Sequence, residues 1–383
     1  MLSDRDHQAN PTILSGNIGM LNDDADNCYH VFITANLTSG AVLDGFHITG
    51  GNADDGVGAL TYIGIIFNRA FGGGMYSRAS SLSIISNCNF YGNRSIAEGG
   101  GMYNSNSSPE VSNCNFYGNM ADAKGGGMYN SISSPKVSNC NFYDNTATNF
   151  GGGMYNLSSS PRVSNCSFYN NRADDGGGGM YNIDPASTPD IINCIFWANM
   201  ENGNTMSSGA HINNNMGGGN PTISHSLLQV YTGSTSTSII GQNPLFVNES
   251  DPDGADDIPG TADDGLRLHS CSPARDAGED YGANPNVPVL DILGNGRLAA
   301  TDMGCYEYQT ASVHVYVNHS ATGANNGTTW ANAYTNLQDA LDYACEGEEI
   351  WVAEGIYSPS RVPTGVTSTD IRDRSFHLDK DVG

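Results

Sequence analysis

Basic residues are scarce in this chain. Its 383 residues include 15 Lys and Arg against 40 Asp and Glu, which gives a formal net charge of −25. A surface of this sign repels nucleic acids and anionic membranes, so we expect neither as a partner. Such a surface is suited to divalent cations, or simply keeps the protein in solution.

Long apolar stretches are missing as well. The best run, Leu60–Phe67, has eight residues, whereas a spanning helix needs about 20. Met1–Asn10 has no apolar signal-peptide core, so for a secreted protein we expect the export signal outside this chain. P-loop, GxSxG, HExxH and CxxC motifs are absent. Low hydrophobic content (38%) and 48 glycines favour short strands and tight turns over a large helical core.

A repeat of about 26 residues dominates what is present. One unit reads GGGMYNSNSSPEVSNCNFYGN, from Gly99 to Asn119. A fixed period of 20–50 residues is typical of solenoids, propellers and arrays. Methionines at spacings of 27, 26, 26 and 26 mark five units: Met75, Met102, Met128, Met154 and Met180. Cysteines at spacings of 26, 26, 26 and 28 mark the same units: Cys88, Cys114, Cys140, Cys166 and Cys194.

Each unit has the pattern of one coil of a parallel β-solenoid. In GGGMYN, Met128 and Asn130 share one face and Tyr129 the other, because side chains alternate along a strand. Coils stack about 4.7–4.9 Å apart, so identical residues align and fill the interior as Met, Val, Cys and Phe columns. The repeated cysteines are then small buried hydrophobes. We predict an all-β chain whose 26-residue coils each have three strands and three turns.

Asparagines are expected to form ladders at two corners of the coil, because Asn tolerates the left-handed conformation and its amide reaches the next copy. The first ladder comprises Asn87, Asn113, Asn139, Asn165 and Asn193. The second comprises Asn93, Asn119, Asn145, Asn171 and Asn199. An outward charged column, in which two of the three neighbouring pairs are opposite in sign, supports this register: Glu110, Lys136, Arg162 and Asp190.

Two tyrosine columns are predicted to point outward. The first comprises Tyr76, Tyr103, Tyr129, Tyr155 and Tyr181, and is the candidate carbohydrate site. The second comprises Tyr91, Tyr117, Tyr143, Tyr169 and Trp197. A flat aromatic ladder could stack against sugar rings. The alternative is that the stacked rings shield the sheet and stabilise neighbouring strands.

An acidic loop interrupts the repeat and is the candidate metal site. Its sequence, DPDGADDIPGTADD, spans Asp251–Asp264. Ca²⁺ takes six to eight oxygen ligands, and Gly254 and Gly260 allow tight turns. We therefore predict a Ca²⁺ site, with a hydrated surface loop as the alternative. The candidate ligands are Asp251, Asp253, Asp256, Asp257, Asp263 and Asp264.

The domain organisation follows the loss of the period. Residues 1–240 are predicted to form the solenoid, 241–309 a terminal cap that includes the acidic loop, and 310–383 the incomplete start of a second module. In the last part, Thr335 is the expected N-cap and Gly347 the end of one short capping α-helix. In the cap, Cys271 and Cys305 either form a disulfide or remain two free thiols.

The coils resemble right-handed parallel β-helix proteins of bacterial cell surfaces, including the pectate-lyase-like and polymorphic outer-membrane protein groups. The segment NPLF…SPARDAG…MGCYEY is similar to a choice-of-anchor domain, and GANNGTTWANAYTNLQDAL…GEEIWVAEGIYSP to the start of another β-helix module. RSFHLDKDVG at the end would be followed in such modules by sequence like RDHQANPTILSG at the start. We therefore expect a piece of a larger tandem protein, monomeric as a module.

The resemblance implies an extracellular or cell-surface location and two functions. One is an adhesin-like stalk that recognises a polysaccharide or cell-surface glycan; the other is a polysaccharide lyase or hydrolase. For the enzyme, related folds place carboxylates on adjacent coils. The candidates are Glu98 and Asp122, one coil apart, with Asp174 and Asp175 two coils on. Thr148 interrupts that column, and the uniform coils favour the stalk.

Overall fold

The computed structural model describes residues 8–20, 23–37, 40–79, 83–214, 219–309, 314–345, 348–363 and 366–378. The chain divides into two compact units, Met1–Tyr308 and Gln309–Gly383. Among the described residues, no helix is long and apolar enough to cross a membrane.

The described residues of the first unit form 31 short strands. They are β1 (Thr12–Ser15), β2 (Phe32–Ala35), β3 (Ala41–Asp44), β4 (Phe46–Thr49), β5 (Asn52–Ala53), β6 (Ala59–Tyr62), β7 (Ile65–Asn68), β8 (Met75–Arg78), β9 (Ser83–Ser86), β10 (Asn89–Tyr91), β11 (Arg94–Ser95), β12 (Met102–Ser105), β13 (Glu110–Ser112), β14 (Asn115–Tyr117), β15 (Met120–Ala121), β16 (Met128–Ser131), β17 (Lys136–Ser138), β18 (Asn141–Tyr143), β19 (Thr146–Ala147), β20 (Met154–Leu157), β21 (Arg162–Ser164), β22 (Ser167–Tyr169), β23 (Arg172–Ala173), β24 (Met180–Ile183), β25 (Asp190–Ile192), β26 (Ile195–Trp197), β27 (Met200–Glu201), β28 (Ile212–Asn214), β29 (Thr222–Ser224), β30 (Leu227–Leu228) and β31 (Ile239–Ile240).

All of these strands except β6 and β7 stack as four parallel sheets, and β6 and β7 pair as an antiparallel hairpin. In chain order within a coil the four sheets are S1 (β2-β8-β12-β16-β20-β24-β28), S2 (β3-β9-β13-β17-β21-β25-β29), S3 (β1-β4-β10-β14-β18-β22-β26-β30-β31) and S4 (β5-β11-β15-β19-β23-β27). Equivalent residues of successive coils pair in register, as Met102 does with Met128 and Phe116 with Phe142. The prediction of a parallel β-helix is thus confirmed, but each coil has four strands rather than three. The extra strand, in S4, is two residues long.

The core lies between the sheets and consists of the predicted columns. The Met, Val, Cys and Phe side chains that form these columns in the five regular coils are at most 1% exposed. The Phe142 and Phe168 rings stack with centroids 4.7 Å apart and planes 2° apart. Burying one such ring contributes about 1.5–3 kcal/mol, and only a neighbouring coil supplies the partner surface.

The asparagines of the first ladder have left-handed backbone, as predicted, whereas at the second corner the left-handed residue is the one before each ladder asparagine, such as Asp144 before Asn145. Asn139 has φ of 49°, and its equivalents lie between 50° and 53°. In the glycine cluster, Gly125 has φ of 69°. A Cβ on Gly126 would lie 2.5 Å from the carbonyl oxygen of Thr146. A side chain therefore fits at neither glycine without strain.

The asparagine ladders differ in completeness. The second predicted ladder is unbroken: Asn93 through Asn199 bond side chain to side chain over 2.9–3.1 Å. The first is interrupted between Asn139 and Asn165, where the Arg297 guanidinium donates to Asn139 Oδ1 over 2.9 Å. A third, interior ladder extends from Asn104 to Asn214, with bonds of 2.8–2.9 Å. The sequence analysis placed these residues inward but did not predict their ladder.

Residues 241–308, which we call the lateral segment, do not form the predicted terminal cap. They pack along the outer face of S3, where Phe246, Leu268 and Tyr306 form a second apolar cluster with Tyr143 and Ile195. The ladder amides on this face donate to the segment, which covers the flank of the helix. Tyr231, which precedes the lateral segment in the chain, packs against the β-helix core.

The second unit contains β32 (His314–Val317), β33 (Glu349–Val352) and the only α-helix of the described residues, α1 (Leu337–Tyr343). The two strands pair in parallel, and Ala340 and Ala344 pack with Val315 and Val317. The N-cap is Asn336, whose side chain accepts from Gln338 N, rather than Thr335. Gly347, the predicted end, lies outside the described residues.

Candidate functional site

The candidate carbohydrate tyrosines lie on the outer face of S1 but are not exposed. Their exposed fractions are 2–7%. Phe67 of the β6–β7 hairpin contacts Tyr76, Phe71 stacks on Tyr103, and Phe150 packs at a tilt against Tyr181. The prediction of a sugar-stacking surface here is wrong, because the hairpin and side chains next to the glycine clusters cover the rings. The buried column is Tyr76, Tyr103, Tyr129, Tyr155 and Tyr181.

The lateral segment covers part of the second aromatic column. Tyr143 and Tyr169 are 3% and 8% exposed beneath the lateral segment, and Tyr169 donates to the carbonyl of Glu249 over 3.0 Å. Tyr91, Tyr117 and Trp197 are half-buried. This column therefore acts mainly as a packing surface for residues 241–308.

A buried ion pair anchors the lateral segment. Arg297 Nη1 lies 3.0 Å from Glu307 Oε2, and both side chains are at most 1% exposed. Besides its bond to Asn139, Arg297 donates to the carbonyls of Gly304 and Cys305. Glu307 accepts from the backbone N–H groups of two neighbouring residues. Apart from Arg297 Nε, which has no partner among the described residues, these bonds match both charges, so removing either partner would leave a buried charge unpaired.

Asp264 forms a second anchor. Its carboxylate accepts from the Tyr306 hydroxyl and from Gly260 N. Tyr306 in turn accepts from Asn141 Nδ2 of S3 over 3.0 Å. Burial raises the pKa of Asp264 to about 6, against the opposing effect of these donors. The Asp264 carboxyl group therefore loses its proton as the pH rises through about 6.

The acidic loop brings together three of its six predicted ligands. Carboxylate oxygens of Asp251, Asp253 and Asp257 all lie within 4.8 Å of one another. Two oxygens bound to one Ca²⁺ at about 2.4 Å can be at most about 4.8 Å apart, so the spacing fits a shared ion. Burial, then the charges of Asp251 and Asp257, raise the pKa of Asp253. A bound cation would relieve that repulsion.

The other three candidate ligands serve the loop itself. Thr261 donates to Asp263 over 2.6 Å, Ile258 N donates to Asp256 over 2.9 Å, and Asp264 is held by Tyr306. Asp256, Asp263 and Asp264 lie outside the group of three whose oxygens are within 4.8 Å of one another, and these bonds hold them within the loop. Any remaining Ca²⁺ ligands would be water or backbone carbonyls.

One buried polar atom lies near this cluster. The Tyr143 hydroxyl has no hydrogen-bond partner among the described residues, although the side chain is nearly fully buried. Burial raises its pKa, and the charges of Tyr117 and Asp253 add to the effect. An unsatisfied buried hydroxyl next to a carboxylate is a place where a metal-bound water would gain a partner.

The candidate catalytic carboxylates do not assemble. Glu98 is in register with Lys124, not with Asp122, and pairs with it over 3.6 Å. Asp122 pairs with Arg94 over 2.6 Å. Asp174 pairs with its own neighbour, Arg172, and Asp175 is exposed at the next position. The predicted alignment of Glu98 with Asp122 is wrong, and each paired carboxylate is occupied by a different cation.

The structure does not contain the disulfide considered between Cys271 and Cys305. Cys305 is a buried free thiol that donates to Asn141 Oδ1 over 2.7 Å. Cys271 is itself disulfide-bonded, so the alternative of two free thiols does not hold either.

A polar cavity of about 190 Å³ lies where the lateral segment meets the earlier coils. Four ladder amides form its floor: Asn87, Asn89, Asn113 and Asn115. Its walls are Gln8, Pro259–Gly260 and Ile292–Gly294. The sequence analysis named two of these asparagines as ladder members and did not predict a cavity, because its walls come from the non-repeating segment.

Comparison with known proteins agrees with the fold. The family model of the right handed beta helix region matches residues 55–243, which span all five regular coils. None of the curated proteins compared with the chain matches it. Together with the stacked parallel sheets, the match identifies this part of the chain as a right-handed parallel β-helix.

Proposed function

We propose that the chain is a non-catalytic β-helix module of an extracellular or cell-surface protein, an adhesin-like stalk that recognises glycans. The observation that carries this proposal is the pairing of Glu98, Asp122 and Asp174 with three different cations. A general acid and base must face one substrate bond. The uniform coils instead provide a rigid scaffold, to which the lateral segment adds a cavity.

The proposal includes Ca²⁺ as a structural ion of the acidic loop. Asp251, Asp253 and Asp257 would hold it, and the ion would neutralise carboxylates that now repel one another. Fixing the loop would stiffen the lateral segment on the flank of the helix. The chain would then be one monomeric module of a tandem surface protein, with a polysaccharide or cell-surface glycan as its partner.

A glycan array tests the recognition. The purified chain, labelled on its amines and assayed in 1 mM Ca²⁺, should bind a subset of neutral glycans in a saturable way. The same protein after thermal unfolding is the control. Absence of binding to every glycan on the array would overturn the recognition part of the proposal.

A further inference from the structure

The ladder amides on the flank of the β-helix bind oxygen atoms of the lateral segment wherever it covers them. Asn139 Nδ2 donates to Leu290 O over 2.7 Å, and Asn141 Nδ2 to the Tyr306 hydroxyl over 3.0 Å. Further along, Asn165 donates to Asp302 O and Asn193 to Glu279 O. Each amide has two N–H bonds, so these four residues are positioned to donate outward from the flank.

One coil earlier, the amides at the positions equivalent to Asn139 and Asn141 have no acceptor in the lateral segment. Among the described residues, Asn113 Nδ2 donates only to Asn87 Oδ1, over 3.3 Å, and Asn115 Nδ2 only to Asn89 Oδ1, over 2.9 Å. Each therefore retains one N–H without a partner, and both residues line the 190 Å³ cavity. Asn115 is buried and Asn113 half-buried. A buried donor without an acceptor is costly, so a ligand gains most from an oxygen atom on Asn115, and Asn113 offers a second donor beside it.

The walls of the cavity add an apolar surface and close it. Ile292 and Leu293 lie on one side, and Pro259 on another. Asn115 Nδ2 lies 3.4 Å from the position that a Cβ on Gly260 would take, so that glycine leaves space beside the amide. Polar donors on one side and carbon surface on another are typical of sites for small ligands with hydroxyl groups and C–H faces.

The charged groups around the cavity indicate which of these ligands it favours. The ten lining residues include no ionisable side chain. Asp44 lies behind the floor, where it accepts from Asn87 Nδ2 over 2.7 Å, and Asp264 accepts from Gly260 N in the wall. A carboxylate on the ligand would approach both. The cavity therefore favours an uncharged ligand over an acidic one.

We propose that this cavity binds one neutral hexopyranose unit of a glycan, with its hydroxyl oxygens on the free N–H groups of Asn113 and Asn115 and its C–H face against Ile292 and Leu293. The inference rests on the proposed glycan recognition and names its site and sugar class. It replaces the buried tyrosine column as the sugar-binding surface.

The test uses saturation-transfer NMR and titration with the methyl glycosides of glucose, galactose and mannose, and with methyl galacturonoside as the acidic probe. The wild-type chain should bind at least one neutral glycoside, and bind the uronate at least tenfold more weakly than galactoside if galactoside is the ligand. Leu293→Trp, which fills the cavity, should weaken binding at least tenfold. Leu298→Trp is its control, because Leu298 is exposed on the same segment and does not line the cavity.

A second variant tests the amide directly. Asn113→Leu removes the donor and should weaken binding about tenfold, the equivalent of one hydrogen bond. Asn106→Leu is the matched control, since Asn106 is exposed on the same coil and has φ of 48° against 52° for Asn113. Thermal melts of all four variants identify any that fails to fold.

The outcomes separate the two proposals. Loss of binding in Leu293→Trp and Asn113→Leu with retention in both controls supports the cavity. Equal binding by wild type and both cavity variants would overturn the cavity while leaving glycan recognition intact. Tighter binding of the uronate would overturn the neutral-sugar assignment. No binding of any probe by the wild type would overturn the site, and the glycan array then decides recognition itself.

Discussion

The side-chain amide of Asn119 donates to Asn145 Oδ1, 3.0 Å away on the next coil, and the backbone N–H of Asn119 donates to the same oxygen over 3.2 Å. Asn145 Nδ2 in turn donates to Phe116 O over 2.7 Å and to Asn171 Oδ1, on the following coil, over 2.9 Å. One buried side chain thus ties three coils together. The ladder is a structural device rather than a recognition site, since these atoms are fully used.

Replacing Asn145 with alanine should therefore be costly. Asn145→Ala leaves the Asn119 donors and the Phe116 carbonyl buried without a partner, which should lower the free energy of unfolding by about 2–4 kcal/mol. Urea unfolding followed by circular dichroism measures it. Thr148→Ala, at an exposed position near Asn145, should change stability by less than about 1 kcal/mol. Equal effects of the two variants would show that the ladder adds nothing.

The anchor of the lateral segment gives a second prediction. Arg297→Met leaves Glu307 charged and buried, which should cost about 3–5 kcal/mol. The double variant Arg297→Met, Glu307→Leu should recover part of that loss. As a control, Arg172→Met breaks an exposed pair with Asp174 and should cost at most about 1 kcal/mol.

Hydrogen exchange locates the effect of Arg297→Met. We expect faster exchange in residues 241–308 and near-wild-type protection in the five regular coils. Faster exchange throughout the coils would contradict the placement of this pair as a local anchor.

Titration of Asp264 gives a pH dependence. Its pKa is raised from 3.8 to about 6, so the folded state binds a proton more tightly than the unfolded chain. The resulting stability is fully present below about pH 4 and is lost as pH rises through 6. The melting temperature of wild type should fall between pH 4.5 and 7.5 relative to that of Asp264→Asn. Parallel curves for the two proteins would contradict the raised pKa.

Calcium binding gives a prediction with a clear readout. After chelation, addition of 1 mM Ca²⁺ should raise the melting temperature and release heat in calorimetry, because the ion binds only the folded loop. Asp253→Asn should abolish both effects. Asp175→Asn makes the same charge change at an exposed position of the solenoid and should leave them unchanged. Absence of heat and of any thermal shift in wild type would refute the Ca²⁺ site.

The sequence predicts the solenoid well because its core is made of equivalent residues that stack on one another. The period alone places Met128, Cys140 and Phe142 inside. Because Asn tolerates positive φ, the sequence also identifies the corner at Asn139. The fourth strand was missed because Met120–Ala121 is too short for a periodic signal. The ladder of Asn130 was missed because burial of an amide is favourable only when its copies provide the bonds.

The candidate sites were harder to predict because they depend on the parts that do not repeat. Tyr129 does face away from the core, as alternation requires, but cover from outside the coil cannot be inferred from the coil itself. Glu98 pairs with Lys124 because Lys124 follows it by one full 26-residue period, whereas Asp122 follows by only 24 residues, so the period applied strictly gives the observed register. The cavity at Asn113 exists only because residues 259–260 and 292–294 return to the flank of the helix.

The central claim is that this β-helix binds polysaccharide without cleaving it. The direct measurement is a mass-spectrometric analysis of acidic and neutral polysaccharides after prolonged incubation with the chain in 1 mM Ca²⁺, at pH 5, 7 and 9. The account predicts chain-length distributions identical to those with heat-denatured protein, even for the glycans that the array identifies as bound. Release of unsaturated or reducing oligosaccharides at an appreciable rate would contradict it and establish a polysaccharide lyase or hydrolase.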